Sequence, residues 1–98
     1  MTDEPTAKRP YHLYILRCVD GTLYTGIAID VAARIAQHKS GRRGARYLRG
    51  RGPFELAFTC EAGDRSSASR LEWRVKQLAR PAKERLLRGE LTIEQLTA

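Results

Sequence analysis

The chain carries a set of side chains whose types suit phosphate and metal chemistry, although they are spread over most of its length. They are two tyrosines, an arginine, a histidine and a glutamate: Tyr14, Tyr24, Arg34, His38 and Glu72. A carboxylate can hold Mg²⁺, which commonly takes one or two carboxylates together with waters and a substrate phosphate. A guanidinium can clamp a phosphate, while hydroxyls and an imidazole can orient a water or accept its proton. Brought together, these groups would suit hydrolysis of a phosphodiester.

Each member of this set also has an ordinary structural explanation. The tyrosines can pack in a core, and Arg34 and His38, four residues apart, can lie together at the edge of an apolar helix face. Glu72 precedes Lys76 by four residues, which is the favourable order for an ion pair on a helix surface. A functional role therefore requires the fold to bring all of these residues to one place.

The excess positive charge is concentrated in one short stretch. The formal net charge is +7, and residues 39–51 contribute +6 of it without any acid. Arginine forks onto phosphate, tyrosine stacks on bases, and glycines let the backbone approach a ligand. We therefore expect nucleic acid to be bound by the cations of this stretch and its tyrosine: Lys39, Arg42, Arg43, Arg46, Tyr47, Arg49 and Arg51. The alternative is a solvated basic loop without a ligand.

The remaining pattern predicts a small α+β domain in the order β-β-α-β-α-α, with a three-stranded, largely antiparallel sheet flanked by helices. The predicted strands cover residues 11–19, residues 22–29 and a stretch that begins at Pro53. In this third strand an apolar row, Phe54, Leu56, Phe58 and Cys60, alternates with positions that suggest one solvent-exposed face. The predicted helices cover residues 31–39 after the cap Asp30, a stretch capped by Ser66-Ser67, and residues 81–89, with a final turn over residues 92–96.

The turn between the first two strands decides where the tyrosines lie. A two-residue loop of Asp20-Gly21 would place Tyr14 and Tyr24 on opposite faces, because side chains alternate along a strand. A three-residue loop with Gly21 in the left-handed conformation would place them on one face, with Tyr14 opposite Gly26. The sequence leaves both loops open.

Length and composition limit the classes of protein to which the chain can belong. With 98 residues, of which 42% are hydrophobic and 30% charged, the chain fits one folded domain and is not disordered by composition. Residues 1–10 are polar and are expected to form a flexible tail before a single domain over residues 11–98. No apolar run reaches the roughly 20 residues of a membrane-spanning helix, and no signal peptide is evident, so we expect a cytoplasmic protein without a membrane partner.

The cysteine content favours free thiols. Cys18 and Cys60 both lie in apolar runs, which predicts two buried thiols in a reducing compartment. A disulfide between Cys18 and Cys60 is the alternative that the cysteine count leaves undecided. A zinc site that adds His12 and His38 is disfavoured, because no paired ligand spacing is present.

The motifs resemble those of the GIY-YIG nuclease superfamily, and more closely its small single-domain bacterial branch, the YhbQ-like proteins. The resemblance spans residues 11–87 and keeps the family's order of motifs. Residues 11–16 match the first motif with Tyr14, residues 23–26 the second with Tyr24, residues 30–38 the helix with Arg34 and His38, and residues 71–76 the segment with Glu72. His12-Leu13-Tyr14 replaces Gly-Ile-Tyr, and Thr25 replaces isoleucine in the second motif, whereas the tyrosines and Gly26 are kept.

The resemblance implies an endonuclease that depends on Mg²⁺ (or Mn²⁺) and acts on DNA in repair or recombination, with RNA as a second substrate class. It implies that Glu72 holds the metal and that Arg34 offsets charge in the pentavalent transition state. It further implies that Tyr14 helps to deprotonate the attacking water, that Tyr24 orients the water or phosphate, and that His38 accepts a proton or contacts the phosphate. Free tyrosine has a pKa near ~10, so Tyr14 would need a cation nearby.

Two other functions stay open at this point. A catalytically weak or inactive nucleic-acid-binding module of the same fold would use the basic stretch for salt-sensitive, sequence-tolerant binding. A basic RNA- or ribosome-associated interaction domain would carry the same charge. A recruiting protein partner fits any of these functions, and the sequence does not set the oligomeric state.

Overall fold

A computed structural model of the chain describes residues 9–40, 48 and 52–97. Its elements are β1 (Tyr11–Arg17), β2 (Leu23–Ala28), α1 (Val31–Ser40), β3 (Glu55–Gly63), α2 (Arg65–Lys76), α3 (Arg80–Leu87) and α4 (Ile93–Thr97). The strands form a three-stranded antiparallel sheet in the order β2-β1-β3. The predicted α+β architecture is confirmed, and the expected final turn is the short helix α4. Most of the predicted N-terminal tail, residues 1–8, lies outside the described residues.

The turn between β1 and β2 is the three-residue loop. The N–H of Cys18 donates to the carbonyl of Thr22 at 2.8 Å, and Gly21 has φ +86°, in the left-handed region that glycine tolerates. This pairing places Tyr14 and Tyr24 on the same face of the hairpin, since Leu16 lies opposite Tyr24. Of the two loops that the sequence left open, the structure has the three-residue loop, and this loop places both tyrosines on one face.

The sheet separates two apolar clusters, because successive β1 side chains point to opposite faces. One face packs against α1, and among the described residues its apolar cluster includes the buried side chains of Tyr14, Leu16, Cys18 and Leu48. The other face packs against α2 and α3, and its cluster includes those of Leu13, Ile15, Leu71, Val75 and Leu86. Each fully buried large aliphatic side chain contributes roughly 1.5–3 kcal/mol of stability. The two faces are called the α1 face and the α2 face below.

Carboxylate caps begin the first two helices. Asp30 accepts the N–H of Ala33 at 3.0 Å, as the sequence predicts. The predicted cap of α2 is wrong, because Asp64 accepts the N–H of Ser67 at 2.8 Å and the helix begins before the Ser66-Ser67 pair. An aspartate suits this position because it satisfies a free N–H and lies at the positive end of the helix dipole.

An irregularity in β3 changes which side chains face inward. Phe58 and Cys60 pack on the α2 face as the alternation predicts. The register shifts opposite Ile15 and Leu16, so that Leu56 turns to the other face of the sheet and is 45% exposed. The expectation that Leu56 shares the inward row is therefore wrong, since a β-bulge adds one residue and reverses the alternation.

The cysteines lie in different clusters and are free thiols. Cys18 is buried on the α1 face, whereas Cys60 is only half-buried and packs on the α2 face. The prediction of two buried thiols thus holds for Cys18 alone. Within residues 9–40, 48 and 52–97, no group of three or more His, Cys, Asp or Glu side chains is placed to hold a metal ion. None of the helices in these ranges is both long and apolar enough to cross a membrane.

Glu84 of α3 pairs with Arg17 of β1, and its ionisation should make the free energy of unfolding depend on pH in the acid range. Its carboxylate accepts from Arg17 at 3.1 Å and from Arg80 at 2.8 Å, and these bonds lower the pKa of Glu84 to about 2. A lowered pKa stabilises the fold above the unfolded value of ~4.3, and this contribution is lost as pH falls through about 2. We expect Glu84→Gln to be less stable than wild type at neutral pH, with the two converging near pH ~2.

Urea unfolding of both proteins across this pH range measures the difference. Glu61→Gln, at an exposed position of β3, is the matched control and should follow the wild-type pH profile. A constant gap between wild type and Glu84→Gln from neutral to acid pH would contradict the prediction.

Candidate active site at the edge of the sheet

Tyr14, Tyr24 and His38 meet on the α1 face. The hydroxyl of Tyr14 lies 2.9 Å from Nε2 of His38, and both side chains are buried. The tyrosine ring centroids are 6.3 Å apart, and the Tyr24 ring lies 5.7 Å from the His38 ring in an edge-to-face arrangement. Phe54 lies on the other side of the imidazole, at 6.5 Å between ring centroids. The fold therefore brings three of the five candidate residues into one cluster.

Gly26 makes room for the ring of Tyr14. The two residues face each other in the β1–β2 pairing. A Cβ on Gly26 would come 2.6 Å from the Tyr14 hydroxyl oxygen and 2.7 Å from Cζ, closer than such atoms can approach. The glycine of the second motif thus determines where the Tyr14 hydroxyl lies.

The cluster favours neutral side chains at physiological pH. Burial and the nearby Tyr24 raise the pKa of Tyr14 to about 12, while the guanidinium of Arg34 hydrogen-bonds to Tyr14 and acts in the opposite direction. Burial, and then the positive charge of Arg34, lowers the pKa of His38. A phenolic Tyr14 can therefore donate its O–H to Nε2 of a neutral His38. Burial also makes a free phenolate on Tyr14 harder to form than in an exposed tyrosine.

Arg34 lies on α1 beside this cluster. Its Nη1 donates to Oε1 of Gln37 at 2.8 Å, one turn further along the helix. The same guanidinium reaches the Tyr14 hydroxyl. The hydrogen bond to Gln37 restrains the guanidinium of Arg34 beside the aromatic cluster.

Glu72 approaches from α2, on the other face of the sheet. Its side chain is 23% exposed, and Oε2 lies 3.1 Å from Nζ of Lys76, so the ion pair expected from the spacing is formed. The negative charge of Glu72 is close enough to contribute to the raised pKa of Tyr14. The carboxylate is therefore half-buried, paired with a cation and electrostatically coupled to the cluster on the α1 face.

The two halves of the candidate site meet at the edge strand β2. A cavity of about 310 Å³ at this edge is lined by Leu23, Tyr24, Thr25, Lys76 and Lys83. The cavity lies between Tyr24 of the α1 face and Lys76, the ion-pair partner of Glu72. Lys83 of α3 also lines it. Lys83 is not among the residues that the sequence motifs predict, because only the packing of α3 against the hairpin brings this cation to the β2 edge.

Of the basic stretch, residues 39–51, the structure describes Lys39, Ser40 and Leu48. Arg42, Arg43, Arg46, Tyr47, Arg49 and Arg51, which the sequence predicts to bind nucleic acid, lie outside the described residues. Lys39 is exposed and lines a cavity of about 430 Å³ together with His38, Gly52, Pro53 and Phe54. Lys39, at the start of the stretch, and Gly52, directly after its end, thus both line the cavity beside His38.

The donors near Glu72 suit a hard cation that is shared with a substrate. Across the described part of the chain, this carboxylate is not joined by further His, Cys, Asp or Glu side chains in a cluster of three. Mg²⁺ and Mn²⁺ prefer oxygen ligands, and Mg²⁺ commonly keeps several waters and binds through one or two carboxylates plus phosphate. One half-buried carboxylate is compatible with such an ion, and Glu72 is the residue that would hold it.

Comparisons with known proteins agree with the motifs. The sequence model of the GIY-YIG catalytic domain matches residues 10–85. A UPF0213 protein of Serratia liquefaciens is 57% identical over 88 residues, which cover 89% of this chain and 85% of that protein. A UPF0213 protein of Yersinia pestis is 58% identical over 77 residues, which cover 79% and 80%.

Solved structures agree as well. The solution structure of a UPF0213 protein from Bacillus halodurans has a TM-score of 0.53 and 43% identity, and the match covers 90% of this chain and 93% of that one. A second solution structure, of a protein from E. faecalis, has a TM-score of 0.59 and 33% identity, with 84% and 86% covered. With the matching domain model and these relatives, the chain belongs to the GIY-YIG family, among the UPF0213 proteins.

Proposed function

We propose that this protein is a divalent-metal-dependent endonuclease that hydrolyses phosphodiester bonds in nucleic acid, with DNA in repair or recombination as the substrate. The match to a catalytic domain suggests nuclease-type activity. The observation that carries the proposal is the hydrogen-bonded pair of Tyr14 and His38, with Arg34 on the same hydroxyl. A buried tyrosine needs one hydrogen-bond partner for its hydroxyl, whereas Tyr14 has both the imidazole of His38 and the guanidinium of Arg34 beside it.

In the proposed mechanism, Arg34 binds the scissile phosphate and offsets the charge that develops on it. Glu72 holds the metal, which supplies Lewis-acid polarisation of the phosphate when it is bound. Lys76 and Lys83 lie at the same edge and attract the phosphates on either side.

Tyr14 and His38 would share the work of a general base. Because burial raises the pKa of Tyr14 to about 12, a preformed phenolate is disfavoured at neutral pH. Tyr14 instead accepts the proton of the attacking water while its own proton passes along the 2.9 Å bond to Nε2 of His38. Tyr24, at the cavity on the β2 edge, orients the water or the phosphate.

A nucleic-acid-binding module without activity is the second candidate, and the ion pair between Glu72 and Lys76 favours it. A carboxylate satisfied by a lysine at 3.1 Å does not require a metal. In that case the basic stretch would bind nucleic acid and the cluster would only pack. Cleavage assays separate the two candidates.

The test is cleavage of nicked, flapped, branched and single-stranded DNA, and of RNA, with Mg²⁺ or Mn²⁺ and with EDTA. We expect metal-dependent cutting by wild type and a fall in kcat of about 10²–10³-fold in Arg34→Ala, as for loss of one donor to a charged transition state. Arg85→Ala removes the same charge from an exposed position of α3 and should cut normally. Equal cutting by wild type and Arg34→Ala would indicate a contaminating nuclease and contradict the proposal.

A further inference from the structure

The outward face of α2 presents the only tryptophan of the chain to solvent. Trp73 is 64% exposed, whereas Ala68, Leu71 and Val75 on the opposite side of the helix are buried. At 3.6 residues per turn, Trp73 points almost directly away from this buried row. An aromatic side chain that is this exposed contributes little to the core, and tryptophan is enriched at binding interfaces.

The side chains around Trp73 are polar or cationic. Ser66, Arg70 and Gln77 lie along the same outward row, at spacings of three, four and seven residues. The guanidinium of Arg70 is braced by the hydroxyl of Ser66 at 2.8 Å. Arg70 therefore stands in a defined position one turn before the indole.

The charge of α2 is strongly one-sided. Its twelve residues, Arg65–Lys76, include four cations and a single carboxylate, Glu72, which is already paired with Lys76. A flat apolar ring among cations complements a ligand that combines anionic groups with flat rings. Nucleic acid has this combination, because its bases stack on aromatic side chains while cations track the phosphates.

We propose that Trp73 stacks on an unpaired base of the substrate, with Arg70 on a neighbouring phosphate. An indole can stack only on a base whose face is free, which excludes the interior of a duplex. Trp73 directly follows Glu72, and the two side chains lie about 100° apart around the helix. The stacked nucleotide would thus lie next to the phosphate at Glu72. This inference rests on the proposed nuclease function and specifies its substrate class as a single strand, flap or frayed end.

Because Trp73 is the sole tryptophan, its fluorescence reports on the contact directly. The titration uses a short oligothymidylate and a blunt duplex of matched length, in EDTA so that neither is cut. We expect quenching of Trp73 emission by the single strand and little quenching by the duplex. No change of emission when the single strand binds would overturn the proposal.

Variants separate stacking from other uses of this face. By fluorescence anisotropy of the labelled single strand, Trp73→Ala should bind about 5- to 150-fold more weakly, the range for loss of one stacked base. Trp73→Tyr should recover most of the affinity, whereas Trp73→Leu, which is apolar but cannot stack, should not. Val19→Ala, at a 63% exposed position in the hairpin turn, is the control and should bind like wild type. Wild-type affinity in Trp73→Leu would overturn stacking.

Two further outcomes have distinct meanings. If Trp73→Ala changes the oligomeric state in sedimentation and leaves binding of the single strand unchanged, the face is a protein interface and the proposal is wrong. If wild type cuts none of the substrates but Trp73-dependent quenching is observed, the stacking surface is supported while the nuclease function fails. Cutting of single strands by Trp73→Ala with unchanged KM would overturn the stacking surface alone.

Discussion

Replacing Glu72 by glutamine is expected to lower metal-dependent cleavage by about 10³-fold or more. The substitution keeps the size of the side chain and removes the charge that a hard cation requires. A metal at a scissile phosphate supplies several kcal/mol of transition-state stabilisation, and each 1.36 kcal/mol is a factor of ten in rate. The carboxylate is half-buried, and the cluster of three or more acidic, histidine or cysteine ligands that would replace it is missing from the described residues. The measurement is kcat against metal concentration, together with calorimetric binding of Mn²⁺.

Glu72→Gln also breaks the ion pair with Lys76, which needs its own control. An exposed pair of this kind contributes about 0–1 kcal/mol, so the thermal midpoint should move by only a few degrees. Lys76→Met breaks the same pair but leaves the carboxylate in place. It should therefore bind Mn²⁺ at least as tightly as wild type, and its metal-dependent cleavage should fall far less than that of Glu72→Gln, since it loses only one cation that attracts phosphate. Cleavage by Glu72→Gln within tenfold of wild type at every metal concentration would rule out Glu72 as the metal ligand.

Gly26→Ala is expected to reduce both stability and cleavage. The new Cβ would fall 2.6 Å from the hydroxyl oxygen of Tyr14, and the ring is only 1% exposed, so it has no open space into which to move. Overpacking of this kind costs about 1–3 kcal/mol in the free energy of unfolding. Displacing the hydroxyl from His38 should lower kcat by about 10²-fold, because small misplacements of a catalytic group have effects of that size. Urea unfolding and single-turnover cleavage measure the two effects.

A double-mutant cycle with Tyr14→Leu tests whether contact with the Tyr14 ring causes the loss of stability in Gly26→Ala. Leucine removes the ring that the new methyl group would meet, so Gly26→Ala should cost much less stability in the Tyr14→Leu background than in wild type. Cleavage should stay low in the double variant because the hydroxyl is missing. The same stability cost in both backgrounds would show that the methyl group is opposed by something other than Tyr14.

The elements of the fold could largely be predicted from local signals. Asp30 acts on its immediate neighbours, so its role as a cap follows from short-range geometry. Gly21 likewise indicates a turn, but the sequence left the length of its loop open. The third strand was less predictable. Its alternation placed Leu56 inward, but the bulge opposite Ile15 and Leu16 depends on the pairing partner, and a sequence does not show which residue of a strand will be unpaired.

The candidate site likewise has some features that the sequence predicts and others that depend on the packing of distant elements. Residue types and spacing along the chain identify Tyr14, Tyr24, Arg34, His38 and Glu72, and the order of their motifs indicates the family. The 2.9 Å bond between Tyr14 and His38, twenty-four residues apart, depends on how α1 packs over the hairpin. Burial in that packing also raises the pKa of Tyr14 to about 12, so the expected need of Tyr14 for a nearby cation becomes greater than the sequence alone indicates.

The sequence by itself determined the chemical types, the element order and the concentration of charge, because these are properties of residues and their near neighbours. Only the tertiary structure decided that Lys83 reaches the β2 edge beside Tyr24 and that Trp73 stands exposed next to Glu72. Which face of a helix is covered depends on contacts with distant elements, so the same amphipathic pattern is compatible with several placements until the sheet fixes one.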